Sequence, residues 1–345
     1  MRPEWLRLSK SVRLLIIFAS IIVLLFLLSV DHSSQGTSQN VIAEKSCKCK
    51  GETFCFQVEN LIGEMFDCSL LKYLKEFHLT ESDIANTEIK NFNYKEVVFI
   101  SYSSSNHFSE SRQMLTDFRK KFQNKIIYYD IGLNKGELAE LANVCNLEVR
   151  QFNFSAYPAH VQTLGTYAFK VMIEAEVSVS YNVFWMADTS LVFQQLPVLQ
   201  QFYLDVKNGK APEFMIGQKV AKEIQFTHPG MRRYIPFPGK YRNESQREAV
   251  LFFRATPTSK TILKWAVLCA LTKECIAPSG SVLYCGSPPA SGCHRFDQSS
   301  SSLLFRSFYP PDTAHYKYYH HCAKPVRGVL IKIPLSPIHC NQTLS

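Results

Sequence analysis

The sequence lacks the features that mark several large ligand-binding classes. It contains no dense run of lysine and arginine, and part of its net charge of +9 comes from basic residues in the first 13 positions. This pattern gives little support to nucleic-acid binding, and we expect no nucleic-acid partner. The serine-rich stretch at residues 101–106 holds no glycine and no lysine followed by serine or threonine. A P-loop or dinucleotide fingerprint is therefore not expected there.

The sequence also lacks the paired Cys-x-x-Cys spacing that is typical of structural zinc sites. All of its 11 cysteines follow the N-terminal apolar segment. Such a number favours disulfide bonds formed in an oxidising compartment, with zinc binding as the alternative. Because the total is odd, at least one thiol must be free or paired with another chain. Three Asn-x-Ser/Thr sequons, at Asn153, Asn243 and Asn341, agree with a lumenal or extracellular location.

Residues 14–30 form an apolar run whose only polar members are Ser20 and Ser29. The run is just long enough to cross a hydrocarbon core of about 30 Å. Basic residues precede it and Asp31 follows it, which predicts that the N-terminus stays in the cytosol. We predict an uncleaved type II signal anchor after a cytosolic tail at residues 1–13. A cleaved signal peptide is the alternative, although no clean small-x-small cleavage site follows.

Residues 31–94 are predicted to form a stem and a cysteine-rich cap. The segment begins with the polar stretch 32–40 and then places four cysteines between positions 47 and 68. The polar stretch has no apolar periodicity and is typical of a flexible stem. We predict a helix over residues 61–77.

From residue 95 onward, strand and helix patterns alternate. Buried-strand patterns lie at residues 97–100, 126–129, 147–154 and 183–186, and helical spacing lies at 107–122, at 135–144 and from 163 onward. This alternation predicts an α/β fold with a mostly parallel, Rossmann-like sheet flanked by helices. Beyond residue 193 the pattern loosens, with strands predicted at 213–218, 249–255 and 328–335 and a helix at 258–271. We assign residues 95–335 to this domain and 336–345 to a C-terminal tail.

The strand predicted at 183–186 is followed by a sudden change to polar side chains at Asp188, Thr189 and Ser190. Ligands of open α/β sheets bind beyond the carboxyl ends of the strands, so Asp188 is predicted to face a cleft. We interpret it as the residue that meets the metal and the diphosphate of a sugar-nucleotide donor. The alternative is a strand-end aspartate that caps the next turn.

Three motifs together identify a resemblance to a known family. They are residues 184–190, the Thr-His-Pro-Gly-Met segment at 227–231, and the Cys-His-Arg-Phe-Asp-Gln-Ser segment at 293–299, preceded by Cys269 and Cys275. In order and spacing they resemble DUF1647, a family abundant in nematodes whose members look like type II Golgi proteins. The resemblance covers roughly residues 90 to 320 and implies the GT-A fold of nucleotide-diphospho-sugar transferases.

GT-A enzymes usually carry Asp-x-Asp at the end of a central strand, and the comparable place here keeps one carboxylate, that of Asp188. The resemblance implies Mn²⁺ or Mg²⁺ at Asp188, with Thr189 or Ser190 and water completing the site, because a hard cation stabilises a leaving diphosphate. Asp297 and Gln298 resemble an Asp-Gln pair that lies near the sugar and acceptor in several GT-A families. Asp297 is therefore predicted to be the general base for an acceptor hydroxyl. Hydrogen bonding to sugar hydroxyls and a structural role are its alternatives.

Three further residues are candidates for contact with the donor. His228 and His294 lie inside the family motifs, where each can contact phosphate or ligate a metal. Lys170, on the helix before the central strand, can offset the charge of the diphosphate. The alternatives are structural histidines and a lysine on a solvated helix face.

These features predict a glycosyltransferase that moves a sugar from a nucleotide-sugar donor to a hydroxyl of a glycan or glycoprotein. Its place would be the Golgi membrane or another secretory-pathway membrane, with the C-terminal domain in the lumen. The missing carboxylate keeps a second hypothesis open, a catalytically inactive GT-A-like protein that binds a glycan or a partner. The third is a membrane-tethered, disulfide-rich protein with a purely structural role.

Overall fold

The computed structural model describes residues 47–222, 226–238, 245–283, 285, 291–309, 322–325 and 334–340. The chain divides into two compact units, Met1–Thr53 and Phe54–Ser345. The described part of the first unit is an antiparallel hairpin of β1 (Lys48–Cys49) and β2 (Glu52–Thr53). All further elements belong to the second unit. The domain boundary predicted after residue 94 stays a prediction.

The second unit is built on a six-stranded sheet whose order is β10-β11-β8-β5-β6-β7. Strands β8, β5, β6 and β7 are parallel to one another, whereas β11 pairs antiparallel with β8 and β10 pairs antiparallel with β11. The strands of this unit are β3 (Gln57–Val58), β4 (Leu61–Ile62), β5 (Val98–Ser103), β6 (Ile126–Asp130), β7 (Leu147–Gln151), β8 (Val183–Ala187), β9 (Leu191–Phe193), β10 (Phe214–Lys222), β11 (Ser245–Arg254) and β12 (Ala323–Pro325). The mostly parallel α/β sheet predicted from the sequence is confirmed.

Helices follow the strands along the chain. They are α1 (Leu71–Glu76), α2 (Glu81–Ala85), α3 (Phe108–Arg119), α4 (Lys135–Leu141), α5 (Ala168–Ser180), α6 (Leu196–Lys207), α7 (Pro229–Tyr234), α8 (Pro257–Ala270), α9 (Lys273–Ile276) and α10 (Asp297–Phe308). Short 3₁₀ turns lie at Cys68–Leu70, Tyr94–Glu96, Ser105–His107, Phe154–Ala156, Ala159–Gln162 and Leu164–Thr166. The helix predicted over 61–77 is wrong, since residues 61–62 pair in a hairpin and the helix starts only at Leu71.

The helix starts are encoded locally. In α4, the side chain of Asn134 accepts the N–H of Glu137, whose carboxylate accepts the N–H of Asn134 in return. In α8, Thr256 and Ser259 form the same reciprocal cap, and a proline occupies the first turn. Each such cap satisfies backbone N–H groups that have no partner within the helix.

The core is centred on β8, all five residues of which are buried. Trp185 is fully buried and packs its indole against Phe193, Phe202 and Phe252, with ring centroids 5.5, 5.4 and 5.0 Å away. Its Nε1–H donates to the hydroxyl of Tyr203 at 2.9 Å. A strand buried on both faces reads as a continuous apolar run, which explains why residues 183–186 were recognisable from sequence.

Disulfide bonds account for ten of the eleven cysteines, which confirms the prediction from cysteine number. The bridges Cys145–Cys340, Cys269–Cys275 and Cys285–Cys293 are formed. Cys47, Cys49, Cys55 and Cys68 are also disulfide-bonded. Cys322 is the free thiol that the odd total requires, and it is buried.

The predicted anchor at residues 14–30 lies outside the described residues, as do the tail at 1–13 and the stem at 31–46. Among the described residues, no helix has both the length and the apolar composition needed to cross a bilayer. The strand predicted at 328–335 also lies mainly outside them.

Candidate active site

A cleft of about 360 Å³ lies at the carboxyl ends of the parallel strands. The chain passes from β5 to β6 and β7 on one side, and returns to pair β8 with the other side of β5. Sheets with this topology leave a crevice where the strand order reverses, and ligands bind there. Its walls come from the loop after β5, the start of α3, the segment before α5 and the residues after β8, namely Tyr102, Ser103, Ser104, Asn106, His107, Glu110, Ile131, Leu164, Gly165, Tyr167, Phe169, Lys170, Asp188, Thr189 and Ser190.

Asp188 faces this cleft, as the sequence predicted. It directly follows β8, and its side chain is 29% exposed. Its Oδ1 accepts hydrogen bonds from Lys170 Nζ at 2.8 Å and from the hydroxyl of Tyr102. The carboxylate therefore already has a cationic partner and a neutral donor from β5.

Lys170 is the centre of the polar cluster behind the cleft. Its side chain is only 5% exposed, and its ammonium lies 4.8 Å from the ring centroid of Tyr167 and 5.4 Å from that of Tyr102. A second carboxylate, that of Asp297, approaches Nζ to 3.5 Å through Oδ2. Lys170 thus bridges Asp188 and Asp297, and the solvated helix face considered as its alternative is wrong.

Two residues with strained backbone conformations lie close to Lys170 and Asp297. Tyr167, which precedes α5, and Phe296, which precedes α10, have φ values of 54° and 46°. Such left-handed conformations are costly for bulky residues and cluster at functional sites. Their rings contact each other, with centroids 6.0 Å apart. The two helices α5 and α10 consequently begin close to the Lys170–Asp297 pair.

Asp297 is the first residue of α10 and is buried. Burial raises the pKa of its carboxyl, and the ammonium of Lys170 opposes that rise. Lys170 forms part of the cleft wall, whereas Asp297 and Gln298 do not. The backbone N–H of Gln298 donates to the carbonyl of Arg295. The catalytic role assigned to Asp297 stays a prediction.

Glu174 is a member of the cluster that sequence reasoning missed. It lies one helical turn after Lys170 and is 6% exposed, and its Oε2 has no hydrogen-bond partner among the described residues. Burial, and then the nearby charge of Asp297, raise its pKa to about 8, whereas Lys170 lowers it. A glutamate four residues after a lysine on an apolar helix was the available signal, but the same spacing is common on solvated helices.

The far end of the cleft carries a second polar group that was also missed. Glu110 Oε2 lies 2.9 Å from His107 Nδ1 and accepts from the hydroxyl of Thr189 at 3.5 Å. Next to it, the hydroxyl of Ser104 donates to Asn106 Oδ1 at 2.5 Å. In the sequence, residues 101–106 stand out only as a stretch without a P-loop or dinucleotide fingerprint.

His228 and His294 form a separate network. The backbone N–H of His228 donates to His294 Nδ1 at 3.1 Å, and His294 Nε2 faces the carbonyl of Ile276 at 3.0 Å. His228 Nδ1 accepts the N–H of Gly230 and so caps α7. Burial lowers the pKa of His294 to about 4, so its ring is neutral and holds backbone together. Neither residue is part of the cleft wall, and their predicted contact with the donor stays untested.

The residues present do not fit the divalent cation predicted for Asp188. In the described part of the chain, no three His, Cys, Asp or Glu side chains come together that could hold a metal, so a cation at Asp188 would depend on water and substrate phosphates for most of its oxygen ligands. The one carboxylate at the predicted position is paired with Lys170. A metal bound at Asp188 would lie next to this buried ammonium, and the two positive charges would repel each other.

Among the predicted glycosylation sites, Asn153 lies in the described part of the chain. It is exposed at the start of a 3₁₀ turn, and its side-chain oxygen accepts from the hydroxyl of Ser155 at 2.6 Å. Asn243 and Asn341 lie outside the described residues.

The chain was compared with known proteins. One similar solved structure is the galactosyltransferase LgtC in complex with donor and acceptor sugar analogues, with 12% identity, 67% of this chain and 87% of that chain covered, and a TM-score of 0.42. An active-site mutant of LgtC has 14% identity, with 46% of this chain and 57% of that chain covered and a TM-score of 0.34. The bifunctional glycosyltransferase WbbM has 11% identity, with 64% of this chain and 38% of that chain covered and a TM-score of 0.40. No curated protein matches the chain. Residues 45–175 match the family described as "Protein of unknown function (DUF1647)", which confirms the resemblance to this family. The three motifs themselves lie after the matched residues.

Proposed function

We propose that this protein is a glycosyltransferase of the GT-A type, which transfers a sugar from a nucleotide-sugar donor to a hydroxyl of a glycan or glycoprotein. The observation that carries the proposal is Asp188, which is held by Lys170 at the end of the central strand and faces the cleft where the strand order reverses. This is the position at which open α/β sheets bind nucleotides.

The size and chemistry of the cleft support a donor of this kind. About 360 Å³ lies within the range of small-molecule sites. Its walls combine aromatic rings with hydroxyl, amide and carboxylate groups, as at Tyr167, Ser104, Asn106 and Glu110. Such groups hydrogen-bond the hydroxyls of a ribose or a hexose, while the rings pack against apolar faces.

In the proposed reaction, an acceptor hydroxyl attacks the anomeric carbon of the donor sugar. The bond between that carbon and the phosphate oxygen breaks, and the nucleoside diphosphate leaves with the bonding electrons. Asp297 is the proposed base for the acceptor proton, because burial raises the pKa of its carboxyl and so makes it a stronger proton acceptor. It is paired with Lys170 and lies outside the cleft wall, so this role requires the acceptor hydroxyl to reach the carboxylate beyond that wall. Lys170 holds positive charge beside the leaving group. No step is assigned to a metal.

We place the reaction in the secretory pathway. The apolar run at 14–30 with basic residues before it supports a type II anchor in the Golgi or another secretory membrane. The ten disulfide-bonded cysteines and the exposed sequon at Asn153 support a lumenal domain. The proposed acceptors, glycans and glycoproteins, are abundant there.

A second function is favoured by one specific observation. The carboxylate that would serve an Asp-x-Asp motif is single and already neutralised by Lys170. A catalytically inactive protein that binds a glycan or a partner in the same cleft would keep this arrangement.

The test uses the full chain in detergent micelles and a panel of sugar nucleotides, with nucleotide-induced thermal stabilisation and release of nucleoside diphosphate as readouts. We expect stabilisation by at least one nucleotide and its loss in Asp188→Asn. Asp130→Asn is the matched control, since Asp130 ends the neighbouring strand β6 and its Oδ1 accepts the N–H groups of Gly132 and Leu133. Stabilisation without sugar release, with or without added glycans, would favour the inactive binding protein. Absence of any nucleotide response, or equal responses in both variants, would contradict the proposal.

A further inference from the structure

We propose that Lys170 is the resident cation of the donor site, and that its ammonium binds the donor's diphosphate without a divalent metal. This inference rests on the proposed function and names the group that neutralises the diphosphate in the same cleft. In GT-A enzymes generally, a divalent cation bridges the diphosphate to Asp-x-Asp. Here the structure puts a lysine against the single aspartate that remains.

The first step of the argument is the position of Lys170. Its Nζ is 2.8 Å from Asp188 Oδ1, and the side chain forms part of the cleft wall. It is the only lysine or arginine among the described residues of that wall. A positive charge therefore already lies where the donor's diphosphate would meet Asp188.

The second step is that Lys170 cannot easily leave. Its stem is buried, and the rings of Tyr102 and Tyr167 lie on the ammonium at 5.4 and 4.8 Å. Asp297 is a second carboxylate at 3.5 Å from the same nitrogen. Moving a buried ammonium away from its partners leaves an uncompensated buried charge, which is strongly unfavourable. The ammonium therefore stays beside Asp188 and repels an incoming metal cation.

The third step concerns the helix ends. Lys170 is the third residue of α5, and Tyr167 and Phe169 at the start of that helix also form part of the cleft wall. The N-terminal turn of a helix carries partial positive charge, which attracts a phosphate and repels a metal cation. This field adds to the charge of Lys170.

The fourth step is the number of donors. An ammonium has three N–H bonds, and in the described part of the chain Asp188 and Asp297 take two of them. One N–H is left for a phosphate oxygen. As the bond to the sugar breaks, negative charge grows on that oxygen, and a fixed ammonium stabilises it more strongly than it stabilises the ground state.

The experiment measures binding of UDP and GDP to the full chain by calorimetry, in excess EDTA and then in excess MnCl₂. We expect affinities that agree within about twofold between the two conditions, and a loss of about tenfold or more in Lys170→Gln, equivalent to about 1.4 kcal/mol. Lys170→Arg keeps the charge and should bind within a few-fold of the unmodified chain. Should Lys170→Gln fail to fold, the comparison of EDTA with Mn²⁺ on the unmodified chain still decides the question.

Lys264→Gln is the matched control for loss of a buried lysine. Its ammonium is also buried, lies 3.5 Å from Glu81 and is 5.2 Å from the ring centroid of Trp265, but it is not in the cleft wall. We expect it to lose stability without losing nucleotide affinity. Binding that requires Mn²⁺, or that survives Lys170→Gln, would overturn the role of Lys170 and leave the proposed function standing. If neither nucleotide nor any sugar nucleotide of the panel binds in either condition, the proposed function itself fails.

Discussion

Replacing Glu174 by glutamine should stabilise the protein in a pH-dependent way. Burial, followed by the charge of Asp297, raises the pKa of Glu174 from an ordinary 4.5 to about 8. The folded chain therefore keeps a proton on this side chain over a pH range in which the unfolded chain has released it. Because the unfolded state binds fewer protons there, the free energy of unfolding falls as pH rises from about 4.5 to about 8.

The magnitude follows from that window. Over the pH range in which only the folded chain holds this proton, each rise of one pH unit lowers the free energy of unfolding by about 1.4 kcal/mol. Between about pH 5 and about pH 8, the unmodified chain should lose about 3 kcal/mol of stability relative to Glu174→Gln. Glutamine has the shape of the protonated acid and does not titrate, so comparing the two chains isolates this group from other titrating residues.

The assay is urea unfolding of both chains across this pH range, followed by near-ultraviolet circular dichroism. Glu140→Gln is a control of opposite sign. Both guanidinium contacts of Arg112, at 2.8 and 2.7 Å, lower the pKa of Glu140. Its contribution is present above the ordinary pKa and is lost only as pH falls through the lowered pKa, below this range, so this variant should be destabilised by a nearly constant amount between about pH 5 and about pH 8. A gap between the unmodified chain and Glu174→Gln that stays constant with pH would refute the reasoning.

Three further predictions concern the core and the cysteines. Trp185→Phe removes the N–H that reaches the Tyr203 hydroxyl and leaves a cavity, so urea unfolding should show a loss of about 1–3 kcal/mol; an unchanged midpoint would contradict the packing described. Cys340→Ser opens the bridge to Cys145, which should lower the free energy of unfolding by about 2–5 kcal/mol and expose the C-terminal segment to proteases. Cys322 is buried and its pKa is raised to about 12, so a thiol reagent should label one site per chain only after unfolding without reductant. Rapid labelling of the native chain, or more than one labelled site, would contradict this assignment.

Local sequence determined much of the fold. The buried strands at 98–103, 126–130 and 183–187 were predicted within a few residues because strands covered on both faces contain runs of apolar residues. Alternation of such strands with amphipathic helices was enough to predict a parallel sheet. From that topology, the cleft location of Asp188 followed directly. The prediction failed at 61–77, where a two-residue hairpin and a 3₁₀ turn replace the first half of the helix.

Contacts between distant segments decided the chemistry of the site. Sequence alone identified Asp188, Lys170 and Asp297 as candidates but could not place one ammonium between the two carboxylates. Sequence alone also could not tell whether His228 and His294 contact phosphate or hydrogen-bond to the backbone. The partners of His294 come from other segments of the chain.

Composition and periodicity thus indicated the buried strands and the mostly parallel sheet, since apolar runs and their alternation with helices are properties of neighbouring residues in the chain. The shape of the cleft depends on how the folded chain brings separate elements together. The ion pair between Lys170 and Asp188 and the raised pKa of Glu174 depend on the distances between charges on those elements and on their burial. Electrostatic energies vary steeply with distance and burial, so only the tertiary structure could decide them.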